Sequence, residues 1–470
     1  MARLGWSWGQ KEQLGVDVVS HGWLAGTVAG GWQAGCRRQT ACWARLSWGV
    51  ADGRCQASNG LLGSARMPYS KNARHNPNLN NNPNRNLNLQ QEVLLSMRHK
   101  SFQRYLVNIV PTTESLLAAW NGACASPTAS KVVVPRGTFQ LSGAMLQGPC
   151  KAPIDFDLEG TLQAPAVGPG YRSANIWVVF AYIDFLTISG TGTFDGQGPS
   201  AWGKKCDWNE FCGNLPINIR FNFVTNAIIQ DVTSKDSMQF HVNLIGCTNV
   251  TFQYFHVLAP ETSLNTDGIH IGKSTDIKII NTTIETGDDC ISIGDGSKQI
   301  TVNNVTCGPG HGISIGSLGK YPDEEPVQGV YVRSCTLKNT QNGVRIKTWP
   351  DSKPGAASDL HFADITMENV GNPVLIDQEY CPFNSCKDKL PSNVKISNVS
   401  FTGIRGSSST PLAIKLVCSR GIPCENIVVS DIDLKYNGSE GPISSECKNV
   451  KPTATGIQNP PACSTTVAPT

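Results

Sequence analysis

NTDGIHIGKSTDIKIINTTIETGDDCISIGDGSKQITVNNVTCGPGHGISIG, residues 265 to 316, contains one phrase three times: DGIHI at 267, DCISI at 289 and HGISI at 311. Each phrase alternates apolar and polar residues as a strand does, and each opens on a titratable side chain. The interval is 22 residues both times. Following the alternation outward gives GIHI (268), CISI (290), GISI (312), GVRI (343) and PVLI (373), at intervals of 22, 22, 31 and 30. A second strand series, NAII (226), NVTF (249), DIKI (276), QITV (299), GVYV (329), DLHF (359), NVKI (393) and NIVV (426), recurs every 23 to 34 residues.

Two strand series sharing one repeat length describe a chain that coils back on itself, each coil covering the apolar face of the last. The fold class is therefore all-β, a right-handed parallel β-helix (solenoid) with a short N-terminal capping helix. Equivalent strands would stack about 4.8 Å apart, with Ile and Val at 269/271, 291/293, 313/315, 344/346 and 374/376 pointing inward. A β-sandwich would need shorter strand spacing and two-residue turns. TTESLLAAWNGACA from Thr112 reads as a capped amphipathic helix, with Leu116, Ala119, Trp120 and Ala123 on one face. It would close the first coil, whose strand edges are otherwise open. No strand is legible ahead of it.

Residues 1–107 read differently: scattered tryptophans, then the polar low-complexity run NPNLNNNPNRNLNLQQ (76 to 91), which cannot bury enough surface to fold. This gives an atypical, low-complexity, disordered extension over 1–107 and a parallel β-helix domain over 108–470. The nearest thing to a secretory signal, WLAGTVAGGWQAG (23 to 35), is poor because of its glycines.

Across 470 residues, only 16% charged and 7% aromatic but with 46 glycines and 17 cysteines, the composition fits a turn-rich extracellular protein. Short spacings without interleaved histidines make Cys206/Cys212, Cys290/Cys307, Cys381/Cys386, Cys418/Cys424 and Cys447/Cys463 disulfide loops, not zinc sites. Cys247 and Cys335 have no local partner and read as buried apolar thiols. Asn-x-Ser/Thr triplets at Asn249, Asn281, Asn304, Asn398 and Asn437 fit glycosylation. No apolar run of about 18 residues exists, so no membrane span is expected. A net charge of +3, thinly spread, argues against a nucleic-acid partner and suits an anionic substrate.

Stacking the three phrases puts Asp267, Asp289 and His311 in one column, with Asp288 beside it. Arg345 and Lys347 have the outward parity of the next coil, opposite Val344 and Ile346. Strict alternation would send Asp267, Asp289 and His311 inward, so the chain must bend at TDG, DDC and HG. Gly268, Gly287, Gly310 and Gly312 supply the freedom, and a Cys290–Cys307 bridge would pin the bend. Carboxylates about 5 Å apart at an effective dielectric of about 20 repel by about 3 kcal/mol, about two pKa units. Such a cluster keeps one acid protonated and another ionised, as glycosidic cleavage requires. The two cations offer a surface for an acidic sugar.

NTDGIHI (265 to 271), TGDDCISI (286 to 293), CGPGHGISIGSLGKY (307 to 321) and NGVRIKTW (342 to 349), in this order, resemble the motifs of the polygalacturonases of glycoside hydrolase family 28. DQEYC (377 to 381) resembles the family's substrate-binding tyrosine segment, and GTFDGQG, FNFVTNAIIQDVTSKDS and AASDLHF are most similar to the plant, pollen-type exopolygalacturonases. The resemblance covers about 112–450. It implies inverting hydrolysis of α-1,4-galacturonosyl links in polygalacturonate, acting from the non-reducing end, with no metal or organic cofactor. It implies Asp288 as general acid, Asp267 and Asp289 as holders of the attacking water, and His311 as the group tuning them. It further implies Arg345, Lys347 and Tyr380 as galacturonate ligands, with Asn265 in the substrate-binding set supporting the site by hydrogen bonding. A secreted, cell-wall monomer is expected. The alternatives are endo action and a non-catalytic pectin-binding β-helix; nothing resembles the calcium-binding acids of a pectate lyase.

Overall fold

The computed structural model describes residues 106–108, 112–168, 176–202, 215–382, 386 and 390–463. All belong to the unit Gln90–Thr470. The expectations for residues 1–105, and the Cys206/Cys212 loop, lie outside the described residues.

The chain winds as a right-handed parallel β-helix whose strands form three faces. The first face carries the series found by repeat: Ala227 pairs with Val250, Val250 with Ile277, Ile277 with Ile300 and Ile300 with Val330, all parallel. Short strands such as Thr283–Glu285 and Thr306–Cys307 build the second face. The third is an eleven-stranded sheet that includes Ile269–Gly272, Ile291–Ile293, Ile313–Leu318 and Asn342–Thr348. Its register is Ile269↔Ile291↔Ile313↔Val344↔Val374, as the phrase spacing requires. These side chains are fully buried in one continuous core.

One element of the first series is shifted. The partner of Leu360 is Val399, so the segment in phase with DLHF is Asn398–Phe401, five residues after NVKI. The reason is length: Gly355–Val370 and Val394–Ser408 are long strands, and Val394 pairs with Gly355 near the start of its partner. A strand also precedes the helix. Leu106–Asn108 pairs in parallel with Lys131–Val133, too short to show a period.

The helix spans Thr113–Ala125, with Thr112 and Ser115 making a reciprocal capping box. Leu116, Ala119, Trp120 and Ala123 are buried, joined by Cys124, which bridges to Cys150. That bridge, 26 residues apart, was not legible from spacing. Cys290–Cys307, Cys381–Cys386, Cys418–Cys424 and Cys447–Cys463 form as read, and Cys247 and Cys335 are free and buried.

The corners between faces are left-handed backbone, which asparagine tolerates better than most residues. Asn226, Asn249, Asn281 and Asn304 have φ of 53°, 54°, 52° and 53°. They also link rungs: Asn249 donates to Asn226 at 2.7 Å and Asn304 to Asn281 at 2.8 Å. Sequon asparagines at these positions are thus corner residues of the coil.

Candidate active site

The bends demanded by the acid column form at the entry to the third face. Buried hydroxyls hold them: Thr266 Oγ1 lies 2.7 Å from Ser263 Oγ and 2.8 Å from Thr286 Oγ1 of the next coil, and it accepts the Gly287 N–H at 3.2 Å. Only glycine fits at 287, where a Cβ would stand 2.0 Å from the Ser263 carbonyl oxygen. Gly312, at φ +88°, meets Asn342 in the same way. The Cys290–Cys307 bridge anchors the second bend to the core.

Asp267, Asp288, Asp289 and His311 therefore reach one outer surface, and Arg345 and Lys347 meet them there. Asp289 is almost fully buried. Its Oδ1 accepts from Arg345 Nη2 at 2.6 Å and from Ser314 Oγ at 2.9 Å, and its Oδ2 accepts from Lys347 Nζ at 2.6 Å. Arg345 Nε also donates to Ser314 Oγ at 2.9 Å, fixing the guanidinium. Burial opposes the charge on Asp289, but Lys347 and Arg345 outweigh it and hold the carboxyl at about 2. Asp289 is the ionised member of the cluster.

Asp267, one rung away, has the opposite surroundings. Its Oδ2 accepts from Ser292 Oγ at 2.6 Å, and Ser292 Oγ lies 2.8 Å from His270 Nδ1. Burial pushes the Asp267 carboxyl well above the usual carboxylate range, and the charges of Asp288 and Asp289 push it further. Repulsion between the acids is thus present, as the sequence suggested, but burial is the larger cause.

Asp288 and His311 stand nearer to solvent, with side chains 23% and 36% exposed and 3.0 Å between Asp288 Oδ1 and His311 Nδ1. The Asp289 N–H also donates to Asp288 Oδ1 at 2.8 Å. Tyr380 covers the cations: its ring centre is 5.2 Å from Lys347 Nζ and 5.9 Å from Arg345 Cζ. Trp349 packs edge-on at 5.7 Å. Asn265 is exposed at φ 58°, and among the described residues its side chain makes no hydrogen bond to the acids.

Ser292, Ser314 and His270 were missed by the sequence reading. They occupy the outward position shared with Arg345 in the register His270↔Ser292↔Ser314↔Arg345, the one signal that could have found them.

Ligand atoms of Asp288, Asp289 and His311 lie within 4.8 Å of one another, close enough to bracket a metal ion. Two cations already occupy both Asp289 oxygens, and their charge opposes a divalent ion at the same place. What the arrangement offers is an ionised carboxylate, a basic carboxyl and a solvent-facing carboxyl beside an imidazole, flanked by cations. That is the equipment of acid–base hydrolysis on an anionic sugar.

Comparison with known proteins agrees with this chemistry. Residues 124–462 match the glycosyl hydrolases family 28 model, and the chain belongs to that family. It is 54% identical to an exopolygalacturonase of Oenothera organensis over 76% of this chain and 99% of that one. It is also 54% identical to a polygalacturonase of Gossypium hirsutum, over 75% and 86%. Among solved structures, the exopolygalacturonase of Thermotoga maritima superposes with a TM-score of 0.59 at 18% identity, covering 73% of this chain and 88% of that one, which shows the fold. The endo-xylogalacturonan hydrolase of Aspergillus tubingensis gives a TM-score of 0.61 at 25% identity, over 73% and 94%.

Proposed function

We propose that this family 28 hydrolase cleaves α-1,4-galacturonosyl linkages of polygalacturonate, releasing galacturonate from the non-reducing end with inversion. The observation that carries the reading is the Asp289 cage: a buried carboxylate held by Arg345 and Lys347 inside a column of acids, so that cations and proton-transfer groups meet at one spot. In this reading Asp288 protonates the leaving oxygen, with His311 beside it. Asp267 and Asp289 hold the attacking water, and Arg345, Lys347 and Tyr380 face the galacturonate carboxylate. Arginine binds carboxylate in a fork, and the tyrosine ring gives the sugar a flat neighbour. The exo direction rests on likeness to the exopolygalacturonase of Oenothera organensis. The disulfides among the described residues suit an oxidising setting, which supports secretion to the cell wall.

The test is a time course on polygalacturonate with products resolved by size. Monomer from the first minutes supports the reading; an early ladder of oligomers would show endo action. Substrate binding without product, in folded wild-type protein, would mean a non-catalytic pectin binder.

A further inference from the structure

In the hydrolytic reading Asp267 and Asp289 hold the attacking water, and the contacts of these two carboxylates are unequal. Both oxygens of Asp289 are taken: Oδ1 by Arg345 and Ser314, Oδ2 by Lys347. A proton arriving there would have to displace a cation. Asp267 has one oxygen bound, Oδ2 to Ser292 at 2.6 Å, and among the described residues its Oδ1 makes no hydrogen bond.

Behind Ser292 stands His270. Its Nδ1 is 2.8 Å from Ser292 Oγ, and its ring lies 5.2 Å from that of Phe240. A serine hydroxyl has one proton to donate, and Asp267 receives it when ionised. Ser292 therefore accepts from the Nδ1–H of His270. Burial keeps that imidazole neutral, pushing its charged form down to about 4; Lys347 and Arg220 act in the same direction and Asp289 against them.

We infer that His270 and Ser292 form a positioning pair that anchors Oδ2 of Asp267, leaves Oδ1 open, and makes Asp267 rather than Asp289 the acceptor of the water's proton. The inference rests on the hydrolytic reading above. An O–H bond of water breaks and its proton passes to Asp267 Oδ1, while the water oxygen bonds to the anomeric carbon. The glycosidic C–O bond breaks with its electron pair on the leaving oxygen, which takes the proton of Asp288. A neutral donor matters because an imidazolium at 270 would stabilise the Asp267 carboxylate and weaken it as a base. The charged groups that act on Asp267 are Asp288, Asp289 and Lys347, whereas the serine–histidine arm is uncharged.

The experiment is a set of pH profiles of kcat and kcat/KM on polygalacturonate for the wild type, Ser292→Ala, Ser314→Ala, His270→Phe and His270→Gln. Ser292→Ala is expected to lower kcat about 10- to 100-fold with KM changed less than about twofold. It should also move the acid limb upward by about half a unit or more, because a hydrogen bond to the ionised form is lost. His270→Phe moves the limb the same way by less, and His270→Gln, which keeps a neutral N–H donor, restores part of it. Ser314→Ala leaves the limb in place, since Asp289 is ionised throughout the range. Because stability itself falls in acid, the folded fraction of each variant is read by circular dichroism at every pH and rates are compared per folded enzyme, which separates a moved limb from acid unfolding. An unmoved limb in Ser292→Ala, or equal movement in Ser292→Ala and Ser314→Ala, overturns the inference. An inactive wild type overturns the hydrolytic reading instead.

Discussion

Asp267 and Asp289 precede equivalent strands one coil apart and are both buried, yet the fold gives them opposite tendencies. Asp289 meets two cations and is held at about 2, while Asp267 is pushed well above the usual range by burial and by the charges of Asp288 and Asp289, against which the Ser292 hydroxyl is only a partial offset. The difference comes from the rungs beyond them. The outward position after Asp289 is followed by Ser314 and then Arg345, with Lys347 two residues on, whereas the arm holding Asp267 runs from Ser292 back to His270. One repeated phrase thus yields two kinds of carboxyl, because a side chain's partners in a solenoid come from neighbouring coils.

The widest effects are on turnover. Replacing Asp288 or Asp267 by Asn should lower kcat by about 10² to 10⁴, measured as reducing sugar released from polygalacturonate by folded protein. Stability should then separate the two acids in sign. Asp289→Asn strips the buried Arg345 and Lys347 of their counter-charge and should cost about 3 to 5 kcal/mol, read by denaturant unfolding at neutral pH. Next comes the bridge that pins the bend between them. Cys290→Ser opens a closed loop with a separation of 17 residues and should cost about 3 kcal/mol, read as a lowered Tm. Asp267→Asn should instead stabilise the fold, by less than Asp289→Asn destabilises it, since its raised carboxyl opposes folding once the pH exceeds its unfolded value.

The pH dependence follows from the same contrast. Asp289 titrates lower in the folded chain than in the unfolded one, so its contribution of about 2 kcal/mol is present above about pH 4. It is lost as the pH falls through its folded value of about 2. The stability gap between wild type and Asp289→Asn should therefore narrow in acid. The gap for Asp267→Asn should shrink in acid too, with the opposite sign.

Much of this was legible because a parallel solenoid turns sequence intervals into spatial columns. The 22-residue spacing alone put Asp267, Asp289 and His311 together, and parity put Arg345 and Lys347 on their side. Close cysteine pairs were readable for the same local reason. What escaped has meaning only across coils. Ser292 and His270 look like any polar outward residue until the register shows what each touches. Cys124 and Cys150 lie in a helix and a loop that share no period with the strands. The shift from NVKI to Asn398–Phe401 arose because a long strand carries more than one alternating phrase, and periodicity cannot choose between them.

The most direct measurement is a carbon NMR titration of aspartate carboxyls in the folded protein, assigned with Asp267→Asn and Asp289→Asn. The account predicts one carboxyl at about 2 that vanishes in Asp289→Asn, and another, well above the ordinary range, that vanishes in Asp267→Asn. Two carboxyls titrating together near the ordinary value of about 4 would contradict it.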